Sequence, residues 1–144
     1  NVATIEDFSI TFTKIITQLM RWSTPEKNEN SEILTAIYDY VQENYHQDIS
    51  LQIISEKFHF SYSYLSTMFT EKYGISFTKY LKKVRIQHAK RLLLETTEPL
   101  SQISYQVGFA ELGYFSRVFK EETGLNPSQY RKGSLKHEEK IQRV

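Results

Sequence analysis

Five residues, Gly74-Ile75-Ser76-Phe77-Thr78, come near the pattern that exposes a nucleophilic serine on a sharp strand-to-helix turn. The closing glycine is missing and no strand pattern precedes the serine. A helix stop followed by a helix cap explains the same residues. His46, His59, His88 and His137 could bind a metal or carry a proton, but their spacing matches no ligand pattern. Cysteine is absent, so there is no thiolate ligand, no cysteine nucleophile and no disulfide. No glycine-rich loop could cradle a phosphate. These residues predict no enzyme, no metal site and no cofactor.

The remaining chemistry is cationic. Lys79, Lys82, Lys83, Arg85, Lys90 and Arg91 crowd one stretch with no acid from Thr78 to Leu94. Arg117, Lys120, Arg131 and Lys132 form a second group. Acids gather elsewhere, from Glu26 to Glu43 and at Glu138-Glu139. Net charge is only +1, so the distribution carries the information. Such stretches fit either a phosphate-binding surface or a solvated helix face.

The elements that hold these groups are clearest from Ile103 to Arg131. Ile103 and Val107, four apart, give one apolar stripe on a short helix. Gly108 can turn left-handed and end it. Tyr114, Phe115, Val118 and Phe119 repeat at helical spacing, with Ser116, Arg117 and Lys120 facing outward. Gly124 stops that helix, and Asn126-Pro127 opens another. A short helix, a tight turn and a longer helix with a polar outer face make a helix-turn-helix.

The pattern occurs twice. Tyr64, Leu65, Ser66, Phe69, Glu71, Gly74 and Tyr80 align with Tyr114, Phe115, Ser116, Phe119, Glu121, Gly124 and Tyr130 at an offset of fifty. Leu51, Ile54, Ser55 and Phe60 align with Leu100, Ile103, Ser104 and Phe109 at forty-nine. The second turn is therefore one residue longer.

With 144 residues, 40% of them hydrophobic, the chain can bury a core. Five glycines and three prolines suit an all-α fold. No apolar run is long enough to span a membrane, and the first residues lack the order of a signal peptide. A cytoplasmic location is expected. Asn1 is not an initiator methionine, so a piece of a longer protein is expected.

Ile5, Phe8, Phe12, Ile15, Leu19 and Trp22 alternate three and four apart, an amphipathic helix with a heptad seam. This seam predicts a homodimer through residues 2–22 or packing on another domain. Residues 23–30 read as a polar linker, so residues 1–30 form the upstream part. A domain over 31–133 comes next. Its first helix is capped by Ser31 and runs to about Tyr45, with Ile33, Leu34, Ile37, Tyr38 and Val41 inward. Helix-turn-helix units are expected at about 50–73 and 99–123. A long helix from Phe77 to about Glu95, capped by Ser76, joins them. Its apolar stripe is Phe77, Tyr80, Leu81, Val84, Ala89, Leu92 and Leu93. Residues 134–144 read as a polar tail.

The stretches SYSYLSTMFTEKYGISFTKYLKKVRIQHAKRLL and ISYQVGFAELGYFSRVFKEETGLNPSQYRK together resemble the AraC/XylS family of bacterial transcription regulators. The resemblance covers about Ile33 to Lys132. It implies a seven-helix domain whose third and sixth helices read DNA. By position it assigns Ser63, Ser66 and Thr67 to the first reading face. It assigns Leu112, Gly113, Ser116 and Arg117 to the second. Tyr62 and Lys120 complete the DNA-facing set, and Tyr64 is assigned to the core through its repeat partner Tyr114. Leu112-Gly113 departs from the polar residues the family often carries there.

Of these side chains only Arg117 can grip guanine with two hydrogen bonds. Serine and threonine discriminate weakly, and Leu112 can touch a thymine methyl. The resemblance further implies a sequence-specific regulator, activator or repressor, that binds double-stranded DNA and RNA polymerase. It also implies a ligand or receiver domain ahead of this one. The heptad helix and linker favour the receiver, hence a two-component system. A helical protein-interaction module without DNA binding suits the composition equally, but leaves the repeated turn units unexplained.

Overall fold

The computed structural model describes residues 26–133, with side chains from Asn30 onward. The chain divides into two compact units, 1–36 and 37–144. The seam over residues 2–22 and the tail over 134–144 lie outside the described residues.

Among the described residues there are seven helices and no strand. They are α1 (Glu26–Asn44), α2 (Leu51–Phe58), α3 (Tyr62–Tyr73), α4 (Phe77–Glu95), α5 (Leu100–Gln106), α6 (Leu112–Thr123) and α7 (127–133). Among the described residues helix α1 is already formed at Glu26, ahead of the expected cap Ser31, and takes in part of the expected linker. The carbonyl of Ser31 instead accepts the Thr35 hydroxyl at 2.8 Å. Tyr38, expected inward, is exposed, whereas Ile37 and Val41 are buried.

The helix boundaries of the two turn units come from local chemistry. The Ser50 hydroxyl accepts the Ile53 amide, Ser61 the Tyr64 amide, and Ser76 the Lys79 amide. Each cap satisfies a donor that the helix cannot. Gly74 and Gly124 close α3 and α6 with φ of 71° and 83°. Asn126 and Gln129 exchange bonds, Asn126 Oδ1 accepting the Gln129 amide and Gln129 Oε1 accepting the Asn126 amide. That reciprocal pair starts α7 as a capping box.

The duplication persists in the packing. The Phe60 amide donates to the Ser55 carbonyl at 2.9 Å, and the Phe109 amide to Ser104 at 2.9 Å. Phe69 meets Tyr80 edge-on at 5.0 Å and 77°, and Phe119 meets Tyr130 at 5.3 Å and 77°.

Helix α4 is apolar on more than the expected stripe. Phe77 packs on Phe69 of α3. Ile86, absent from that stripe, is buried with Ala89 and Leu93 in a core shared with Ile103, Val107, Phe109, Phe115, Val118 and Phe119. A helix clamped between two units buries two faces, and a one-face pattern misses the second. Ile49, ahead of α2, is a further buried residue outside the expected set.

Candidate nucleic-acid interface

Helices α3 and α6 present matching polar faces. Tyr62, Ser63 and Thr67 are exposed on α3, and Ser66 is half-buried. On α6 Leu112, Gly113, Arg117 and Lys120 are exposed, and Ser116 is half-buried. Each set recurs at helical spacing, so each lies on one face. Between them stand buried anchors, Leu65, Met68 and Phe69 on α3 and Phe115, Val118 and Phe119 on α6. These anchors fix which way the polar residues point. Residues 61–70 and 111–120 share one burial pattern, except that Tyr64 is half-buried and Tyr114 is exposed.

Tyr114 is thus not a core residue. Its ring meets Phe109 edge-on at 5.8 Å. Lys82 Nζ lies 5.6 Å from its centroid and the Arg117 guanidinium carbon 5.2 Å. Two cations, one from α4 and one from α6, therefore share one aromatic ring.

The basic stretch on α4 is divided among different partners. Successive residues turn by about 100° on a helix, which sends these side chains to different neighbours. Lys83 pairs with Glu122 at 2.8 Å. Arg85 donates from Nε to the Tyr45 carbonyl and from a terminal nitrogen to the Gln47 carbonyl, both at 2.8 Å. Burial pushes its guanidinium pKa down, and Asp48 pulls it back up. Arg131, from the second basic group, donates to the carbonyls of Leu93 and Thr96 at the end of α4. Arg85 and Arg131 are structural clamps. Lys79 and Arg91 stay exposed, and Lys82 and Lys90 are half-buried.

The near-match to a serine nucleophile resolves into a left-handed Gly74 and the Ser76 cap. No cluster of metal-binding side chains occurs among the described residues. His88 stacks face to face on Tyr45 at 3.9 Å and its Nε2 lies 3.0 Å from Gln42 Oε1. Among the described residues no helix is long and apolar enough to cross a membrane.

A helix-turn-helix domain model of the AraC/XylS type matches residues 54–133, more than half of the chain. The chain belongs to the AraC/XylS family of DNA-binding transcription regulators.

Relatives in sequence and in solved structure accompany this match. An uncharacterized HTH-type transcriptional regulator of Staphylococcus aureus (strain MSSA476) is 39% identical over 102 residues, which is 71% of this chain and 14% of that protein. The C-terminal domain of the response regulator yesN from Fusobacterium nucleatum is 39% identical, with a TM-score of 0.64 over 67% of this chain and 95% of that one. The C-terminal domain of AraT, a response regulator from Geobacillus stearothermophilus, is 37% identical, with a TM-score of 0.67 over 70% and 84%. The matched region is thus a small part of the full-length S. aureus regulator.

Three residues outside the set assigned from sequence also stand at or beside these polar faces. Thr70 is exposed and stands fifty before Lys120, so the repeat offset alone could have found it. Lys82 was hidden in the basic run, and Tyr114 was taken for core. Only the fold brings those two together.

Proposed function

We propose that residues 31–133 bind double-stranded DNA sequence-specifically, with α3 and α6 in two successive major grooves. The observation that carries this is the burial pattern shared by 61–70 and 111–120, which leaves equivalent polar faces open on both helices. Helix α4 has 19 residues, about 28 Å at roughly 1.5 Å each. That length suits two reading helices near the ~34 Å repeat of one DNA face. In this reading Arg117 grips guanine, Leu112 meets a thymine methyl, and Ser63, Ser66, Thr67 and Ser116 add weaker contacts. Gly113 lets α6 approach closely, while Tyr62 and Lys120 hold sugar or phosphate. Short side chains dominate, so phosphate contacts and DNA shape supply much of the affinity. The identity to two response-regulator C-terminal domains supports the reading that the domain stands behind a receiver in a two-component system.

The test is selection of duplexes from a random 40-base-pair pool, then titration of the selected duplex and a scrambled one over a range of KCl. Selected duplexes should converge on a common sequence. Affinity should fall with salt at a log–log slope of about −0.9 per phosphate neutralised. A flat slope, or equal affinity for both duplexes, rejects this function in favour of a protein-interaction module.

A further inference from the structure

A cleft of about 400 Å³ lies between the two helix-turn-helix units. Tyr62 and Ser66 enter it from α3, Thr78 and Lys82 from α4, and Tyr114 from α6. Of the two cations in the lining, Lys82 has no carboxylate partner among the described residues; the ion pair on this part of α4 belongs to its neighbour Lys83. The one acid in the lining, Asp48, lies near Arg85, which is already committed to the carbonyls of Tyr45 and Gln47. The Lys82 ammonium is held instead over the Tyr114 ring. A lysine placed this way leaves its donors open to an incoming anion. Around it stand hydroxyls, the groups that commonly bond sugar and phosphate oxygens.

We propose that this cleft is a binding site for one backbone phosphodiester of DNA, with Lys82 as its cation and the Tyr62 and Tyr114 hydroxyls as further donors. The inference rests on the DNA-binding reading above. Two reading helices in successive major grooves leave the minor groove between them, and its phosphate strands must cross the gap between the units. The cleft is that gap. Because Tyr114 also carries Arg117, the phosphate site and the base-reading arginine share one ring. A phosphate bound here fixes the register of α6 on the duplex without reading sequence itself.

The experiment compares the whole chain with Lys82→Gln, Lys82→Arg and Lys90→Gln on the duplex selected from the random pool. Circular dichroism melts check that each variant folds. Lys82→Gln should make the salt slope shallower by about 0.9, which corresponds to about fivefold weaker binding near 0.15 M salt. The sequence recovered by repeating the selection should not change. Lys82→Arg should keep the wild-type slope, and Lys90→Gln, whose lysine does not line the cleft, should keep it too. A scan of single uncharged methylphosphonate linkages should find one position that weakens the wild-type chain and leaves Lys82→Gln unaffected. If wild type binds with a steep slope and Lys82→Gln shares it, the site is overturned and the DNA reading stands. A recovered sequence altered by Lys82→Gln also overturns it, since Lys82 then reads a base. A wild-type chain that retains no duplex overturns both.

Discussion

The Arg85 Nε donates to the Tyr45 carbonyl across 2.8 Å, joining the middle of α4 to the residue just after α1. The same guanidinium holds Gln47 and lies 5.8 Å from the Phe109 ring in the turn before α6. One side chain thus links the end of the first helix, the central helix and the second turn. Arg85→Ala should lower stability by about 2–3 kcal/mol, the range for hydrogen bonds to a charged group. Arg85→Lys should recover little, because a lysine lacks the planar fork that reaches two carbonyls at once. Urea denaturation of the three proteins checks both statements.

Gly108 makes room for that arginine. A Cβ there would sit 2.8 Å from Arg85 Nε and 3.0 Å from the Tyr45 carbonyl oxygen, and φ is +104°. Gly74 also has positive φ, but a Cβ there meets nothing within 4 Å. Gly74→Ala should therefore cost only the left-handed penalty of about 1–2 kcal/mol. Gly108→Ala should add the loss of the Arg85 bonds, for about 3–4 kcal/mol. Equal losses in urea would show that Arg85 can move aside freely.

In the proposed DNA-bound arrangement Arg117 grips guanine while Lys120 holds sugar or phosphate. Replacing Arg117 with alanine should weaken the selected duplex by about 1–3 kcal/mol and relax preference at one base pair. Binding to panels of single-position variants of the duplex reads this. A uniform loss across all variants would mean that Arg117 holds phosphate.

His88 gives a pH dependence of stability. Burial, then the nearby positive charge of Arg91, pushes its pKa below the usual 6.5. Gln42 and Tyr45 on its other side carry no charge that would favour the imidazolium. The unfolded chain therefore takes up this proton first as pH falls. The contribution is fully present above pH 6.5 and is lost as pH drops through 6.5 toward the lower folded value. Urea melts from pH 7.5 to about 5 should show a decline that His88→Gln reduces. An unchanged decline would place the titration elsewhere.

Much of this fold could be read from local chemistry. Ser50, Ser76, Gly74, Gly124 and Asn126 mark helix ends by what their own side chains or backbones allow, and the helix Phe77–Glu95 lies where its pattern put it. Ser31 lies inside α1, since a serine within a helix looks the same in sequence as one that caps it. Ile86 was missed because its burial comes from a second packing partner, which periodicity on one helix does not encode. The interface divides the same way. Residues on one helix face, such as Ser63 and Arg117, follow from their position in the family pattern, whereas Lys82 and Tyr114 meet only across helices.

Helix α4 runs for 19 residues without a glycine or proline to bend it. A straight helix fixes an angle along with a length, since each residue is rotated about 100° from the one before it. One inserted residue would swing the second polar face about 100° around the rod while lengthening it by only about 1.5 Å. Four inserted residues would nearly restore the orientation, at a cost of about 6 Å. The residue count of α4 therefore sets the rotational phase between the two polar faces, much as the base-pair count between two half-sites sets which side of a duplex they face.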